Sequence, residues 1–334
     1  MRIAIRVAFI AGLGVAIALI LRSGAAQIFA LLSRANWLLL WLVPLHALPI
    51  ALDANGWRAL LPARARLRTL FGIACIREAI NRLLPVANIG GEVVGIGLLA
   101  RTGIDAIQAG ASVVVETLMT LVSQYLFVAL GAVCVLHLIG AGALTANVAI
   151  LLATTLPVIL LLIALMRYGS VFDWLRRVGE RLVGIAAPGG AGWGARFGAS
   201  AAGIDAAIRD LCREHSRLLR AIAWQFAAAV AGTAETWLAL RWIGNPIGVV
   251  EAIAFESMTQ AVRNFIFFVP AGIGVQEASL VALGHVLGVE PDVALALSLA
   301  KRMREILFGV PALIAWQWLV GRRGFEDARK RRLP

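Results

Sequence analysis

The feature that most limits what this chain can fold into is a series of apolar runs, at about 3–21, 36–52, 106–137, 145–166, 219–243 and 291–320. Crossing the hydrocarbon layer takes about 20 apolar residues, so runs of this length recurring through the chain predict membrane helices. Composition agrees: of 334 residues 60% are apolar and 15% charged, far from the balance of a soluble domain. The fold class predicted is an all-α polytopic membrane protein with six or more transmembrane helices, in one integral domain over 1–334. Residues 1–25, with Arg2 and Arg6 before the apolar run and Ser23 and Ala25 after it, also fit a signal peptide. A retained first helix is the preferred reading, since a polytopic protein needs no removable signal once its first span inserts.

The net charge of +12 suggests nucleic acid in a soluble protein. In a membrane protein it follows from the cytoplasmic bias of Arg and Lys, and no nucleic-acid partner is expected. Arg2, Arg6, the arginines of 53–70 and 167–220, and the basic tail after 320 account for 21 of the 31 basic residues, and they predict both termini on the cytoplasmic side. With that orientation, counting crossings leaves 70–100 entering and leaving from the cytoplasm and 247–288 from outside. Each region has Pro and Gly near its middle, which fits a re-entrant hairpin of two half-helices, irregular backbone being tolerated at that depth where protein buries it.

The two regions match without a gap: PVANIGGEVVGIGLLARTGID from Pro85 and PAGIGVQEASLVALGHVLGVE from Pro270. Pro85 to Glu92 and Pro270 to Glu277 are the same step, as are Glu92 to Gly103 and Glu277 to Gly288. The match predicts an inverted repeat, 70–137 (hairpin plus long helix) against 247–320, the arrangement by which secondary transporters open one site to either side. Pro85, Gly90, Gly91, Pro270, Gly272 and Gly274 are the expected hairpin residues. Gly91 and Gly95 form a GxxxG that suggests close helix packing.

Charged residues at membrane depth are costly and mark functional sites. Glu256, Gln260, Arg263 and Asn264 fall on one helical face. Arg77 with Asn81 and Glu78 with Arg82 are i, i+4 pairs. The plain alternative for either stripe is a pair at the membrane interface. Lys301, Arg302, Arg304 and Glu305 sit about a third of the way along the last run, and Lys301 falls opposite Glu116 in the repeat register, suggesting a pair between the halves. Glu235 and Trp237 are weaker candidates, and the four histidines are scattered without ligand spacing. Cys75, Cys134 and Cys212 have no metal or disulfide pattern, so no metal or cofactor is expected. Within 167–220 Phe172, Leu175, Leu182 and Val183 oppose Arg176, Arg177 and Arg181, as in a helix lying on anionic lipid; a solvated linker is the alternative.

Nucleotide-binding, zinc-protease and serine-hydrolase motifs are missing from the sequence. The motifs NRLLPVANIGGEVV and FFVPAGIGVQEASL, with ETWLALRWIG and ESMTQAVRN, resemble the lysylphosphatidylglycerol synthetase transmembrane-region family over nearly the whole chain, above all its hopanoid-associated, HpnL-like branch. The resemblance implies a flippase-like protein of the bacterial inner membrane that binds lipids and moves them between leaflets. Onto it map Asn81, Pro85, Gly90, Gly91 and Glu92, and Pro270, Gly272, Gly274 and Glu277. The family's aminoacyltransferase domain does not follow before Pro334, so lysyl transfer is not expected.

The sequence therefore reads as a transporter rather than an enzyme. Arg77, Arg263, Lys301 and Arg302 would hold the head group of an anionic or polyisoprenoid- or hopanoid-related lipid, and Glu92 and Glu277 would brace the hairpins or relay protons. The expected partners are membrane lipids and proteins of hopanoid or lipid biosynthesis; oligomeric state is open. Two alternatives stand: an accessory enzyme with Glu256 or Glu277 as acid or base, and a scaffold.

Overall fold

The computed structural model describes residues 25–62, 65–84, 90–139, 203–265, 275–286 and 288–330. The expected spans 3–21 and 145–166, most of 167–220, and Pro85, Pro270, Gly272 and Gly274 lie outside the described residues.

Every regular element among the described residues is helical. Helix α1 (Ala25–Ala35) leads through a 3-10 stretch, Asn36–Trp41, into α2 (Leu42–Ala59). After these come α3 (Leu67–Leu83), α4 (Gly90–Ala100), α5 (Ala106–Ile139), α6 (203–213), α7 (His215–Ile243), α8 (Val249–Phe265), α9 (Val275–Val286) and α10 (Pro291–Lys330). The start of α5 is set by Asp105, whose carboxylate accepts the Ile107 and Gln108 N–H groups at 3.0 and 3.3 Å, occupying two orphan donors. Helices α4 and α9 occupy the same place in the sequence match. Each starts five residues after its proline, carries its glutamate in the first turn, and is followed by a glycine with positive φ, Gly103 (90°) and Gly288 (74°). That backbone sign favours glycine, and beyond Gly288 the Val289 N–H closes the helix end on the Gly284 carbonyl at 2.8 Å.

The membrane architecture differs from the sequence expectation. Among the described residues two helices are long and apolar enough to cross a membrane, Ala30–Ala59 and Ala106–Leu138. They contain the expected runs 36–52 and 106–137. The runs at 219–243 and 291–320 are helical too, in α7 and α10, but they do not qualify. Gln225, Thr233, Glu235 and Thr236 dilute the alanine-rich α7, and Asp292, Lys301, Arg302, Arg304 and Glu305 crowd the first half of α10. The expectation of six or more transmembrane helices is thus corrected, and with it the two re-entrant half-helix hairpins and their inverted orientation. The hairpins were required only because six crossings fixed which face each connection lay on. Two qualifying helices remove that requirement. Helices α3 and α8, the first arms of the expected hairpins, run 17 residues each, about 25 Å at 1.5 Å per residue, which is longer than a half-helix.

The chain divides into two compact units: Met1–Ile50, Phe71–Gly95 and Ala231–Pro334 form the first, and Ala51–Leu70 with Ile96–Val230 the second. In the first, Leu39, Leu42, Leu240, Ile243, Phe255, Leu280 and Leu295 pack with Ala35, Ala239, Ala294, Ala296 and Ala300. Among lipid tails apolar burial drives association weakly, so small side chains that let backbones approach matter more. In the second, Leu60, Ala111, Val115, Met119, Ile208 and Ala221 form the core. Trp57 donates its indole N–H there to Ser112 at 3.2 Å, and Ser123 bonds the Ile222 carbonyl at 3.1 Å. The three cysteines are free thiols. Burial pushes the Cys212 thiol on α6 up to about 11, so it offers no nucleophile at neutral pH.

Candidate functional site

The first unit is built with its charge inside. On α10 Lys301, Arg304 and Glu305 are buried while Ile306, Leu307, Val310, Ile314 and Trp318 are exposed. A water-soluble helix has the reverse pattern. Apolar exposure over charged burial suits a helix whose outer face meets lipid.

Each carboxylate of this group is paired: Glu256 has Lys301 to itself, while Glu235, Glu277 and Glu305 share Arg302 and Arg304. Glu256 on α8 accepts the Lys301 ammonium at 2.5 Å and the Thr236 hydroxyl at 2.5 Å. Lys301 joins Glu256 instead of the Glu116 suggested by the repeat register. Glu277, in the first turn of α9, takes the Ser298 hydroxyl at 3.1 Å and lies 3.5 Å from the Arg302 Nε. Glu305 lies 3.3 Å from Arg302 and 3.6 Å from Arg304. Glu235 on α7 binds Arg304 through one oxygen and the His46 Nδ1 through the other at 2.8 Å. Its neighbour Trp237 has a local task, donating to the Ile247 carbonyl at 3.0 Å.

A second group joins α3 to α4. Arg77 pairs with Glu92, and the Asn81 amide points at the other Glu92 oxygen at 3.4 Å. Asn81 also accepts the Gly91 N–H at 2.9 Å, which satisfies an orphan donor at the start of α4. A Cβ on Gly91 would stand 2.5 Å from the Arg77 carbonyl, and one on Gly95 2.7 Å from the Arg77 Cδ. Glycine is therefore what lets the arginine side chain lie along α4. One turn along α3, Arg82 bonds Glu78 at 3.0 Å, and Glu78 lies 3.8 Å from the His46 Nε2.

The rest of the α8 stripe is different. Arg263 donates to the Gln260 carbonyl oxygen at 3.0 Å, and Gln260 donates to Asn264 at 2.9 Å. Among the described residues no carboxylate lies within salt-bridge distance of Arg263, and the buried Asn264 amide nitrogen has no acceptor. Arg263 is thus a cation held by neutral groups, beside an unused N–H donor.

Of the expected lipid-binding residues, Glu256 with Lys301, Glu277 with Arg302, Arg77 and Asn81 with Glu92, and Gln260 with Arg263 and Asn264 each come together. The sequence placed His46 among four scattered histidines without ligand spacing, gave no sign of Thr236 or Ser298, and assigned no role to Arg304. The hydrogen-bond partners of His46, Glu235 and Arg304, lie 189 and 258 residues away, and no spacing rule reaches that far. Among the described residues no three His, Cys, Asp or Glu side chains converge as metal ligands.

No curated protein sequence and no solved structure matches the chain. A family model does, over residues 4–312, and its description is the lysylphosphatidylglycerol synthase TM region. Together with two helices fit to span a bilayer and a unit whose charges turn inward, this gives a membrane-associated protein that belongs to the lysylphosphatidylglycerol synthase TM-region family.

Proposed function

We propose that this protein is a lipid carrier of a bacterial inner membrane, receiving an anionic head group at Arg263 and passing the lipid between leaflets. The observation behind this reading is the difference between Arg263 and its neighbours. Lys301, Arg302, Arg304, Arg82 and Arg77 each have a carboxylate within salt-bridge distance, whereas among the described residues Arg263 has none there and donates to the Gln260 side chain. A partly buried guanidinium whose nearest carboxylates, Glu256 and Glu305, act on it only from beyond contact distance favours an anion, and phosphate or carboxylate oxygens would also take the Asn264 N–H that has no acceptor among the described residues. The exposed faces carrying Trp37, Leu40, Trp41 and Leu48, and Ile306, Val310 and Ile314, offer acyl or polyisoprenoid tails an apolar surface.

The other charged pairs act as braces. Glu256 and Glu277 are each engaged by a cation and a hydroxyl, an arrangement suited to holding helices in place rather than to acid–base catalysis. The cargo is an anionic lipid of the polyisoprenoid or hopanoid-related kind that the HpnL-like motifs suggest, and proteins that make such lipids would supply it.

The test is leaflet exchange of labelled anionic and zwitterionic lipids in vesicles holding the purified protein. Wild type accelerates exchange of the anionic lipid, and Arg263→Gln lowers that acceleration about ten- to a hundredfold, the worth of one charge-assisted contact. Equal rates for the two lipid classes, or a fully active Arg263→Gln, would reject the reading.

A further inference from the structure

Arg82, Arg302 and Arg263 each hydrogen-bond a side chain one turn away on their own helix, and of those three partners only Gln260 is neutral. Arg82 has Glu78 at 3.0 Å and Arg302 has Glu305 at 3.3 Å. Arg263 has Gln260 at 3.0 Å, three residues before it. A glutamate of the same size would complete the usual helical ion pair at this spacing. Here the oxygen that meets the guanidinium belongs to a carboxamide, so the contact holds Arg263 without cancelling its charge.

An arginine can only donate, and this fixes how the two amides are turned. Gln260 presents its Oε1 to Arg263, so its Nε2 faces away and donates to the Asn264 Oδ1 at 2.9 Å. With that oxygen taken, Asn264 is left with its buried Nδ2, which has no acceptor among the described residues. The relay thus uses both carboxamide oxygens and leaves N–H groups, on Arg263 and on Asn264. Arg82, Arg304, Glu256 and Glu305 act on Arg263 from beyond contact distance. Both of those carboxylates are engaged, Glu256 by Lys301 and Thr236, and Glu305 by Arg302 and Arg304. A phosphate oxygen therefore finds two donors here, while an ammonium finds neither of these carboxylates unpaired.

We propose that Gln260 sets the head-group specificity of the site: its neutral amide orients Arg263 and Asn264 as donors and so selects lipids whose head group carries phosphate without an amine. The inference rests on Arg263 as the head-group site and adds the residue that makes this site discriminate. A carboxylate in place of Gln260 would pair with Arg263. Having no N–H for the Asn264 oxygen, it would also turn that amide round to donate inward, so both donors leave the site together. Gln260 is a positioning residue, acting through Arg263 and Asn264.

The test is calorimetric binding of two short-chain lipids to the detergent-purified protein at about 1 M salt, where surface attraction is screened. Phosphatidylglycerol is the anionic probe, and phosphatidylethanolamine adds an amine. Wild type should prefer the anionic lipid about ten- to a hundredfold, and Gln260→Glu should lose that preference. Asn264→Asp, nearly isosteric and still able to accept from Gln260, should lose it too, and it decides the matter if Gln260→Glu does not fold. Gln260→Leu frees Arg263 without neutralising it and should bind more weakly while keeping most of the preference. A merely structural role for Gln260 would move both of its variants alike. Equal binding of the two lipids by wild type removes the Arg263 reading and this one with it. A wild-type preference that either carboxylate variant leaves intact, or that Gln260→Leu abolishes as fully as Gln260→Glu, overturns the role of Gln260 alone.

Discussion

A buried ion pair is worth little beyond what its own desolvation costs, yet it is expensive to break. The Glu256–Lys301 pair makes that asymmetry measurable. Lys301→Met leaves Glu256 with the Thr236 hydroxyl and the more distant Arg263 and should cost about 3–5 kcal/mol of stability, whereas removing both charges in Glu256→Leu with Lys301→Met should recover most of that loss. Thermal unfolding in detergent measures both, and a double variant no more stable than the single one would mean that the pair is not the unit of cost. At this scale the sequence was informative where polar residues shared a helical face. Glu256, Gln260, Arg263 and Asn264 could be picked out from spacing alone, as could Glu78 with Arg82. Which cation each acid would take could not be read, because Lys301 lies 45 residues from Glu256 and Arg304 lies 69 from Glu235. His46 was missed for the same reason.

Elements carry the next part of the design, and glycine placement shows it most directly. On α4 a Cβ at Gly91 would meet the Arg77 backbone carbonyl at 2.5 Å, but one at Gly97 would meet nothing within 4 Å. Gly91→Ala must push α4 from α3 or displace Asn81, at about 1–3 kcal/mol for overpacking. Gly97→Ala should instead stabilise by about 0.5–1 kcal/mol through helix propensity. Unfolding midpoints of the two variants under one condition give the sign of each, and a shared sign would mean that α4 does not sit against Arg77. Helix positions themselves were legible in the apolar runs, whereas the cap at Asp105 emerged from the structure. The number of membrane crossings was not. An apolar average over α10 hides that its charges cluster in one half, and charge buried against protein cannot be distinguished in sequence from charge that breaks a span.

For the molecule as a whole, the net charge of +12 draws anionic lipid to its surface without any site, so binding of such lipid by itself says little about Arg263. Position and screening separate the two effects. Surface attraction fades within a Debye length, about 8 Å at physiological ionic strength and about 3 Å at 1 M, while a partly buried guanidinium is screened much less. A ligand that binds only the folded protein stabilises it by about 2.7 kcal/mol at a hundredfold excess over its dissociation constant. Anionic lipid added to the detergent-purified protein should therefore raise its unfolding temperature at low salt through both effects, and at about 1 M salt through the buried one alone. Arg263→Gln should keep the low-salt rise and lose the high-salt remainder, because the variant changes the net charge by only one. Arg241→Gln is the matched control: it removes the same charge from an exposed arginine that stacks on Trp237 at 5.8 Å, and it should behave as wild type. If lipid stabilisation disappears at high salt in wild type, the attraction belongs to the basic surface and Arg263 receives no head group.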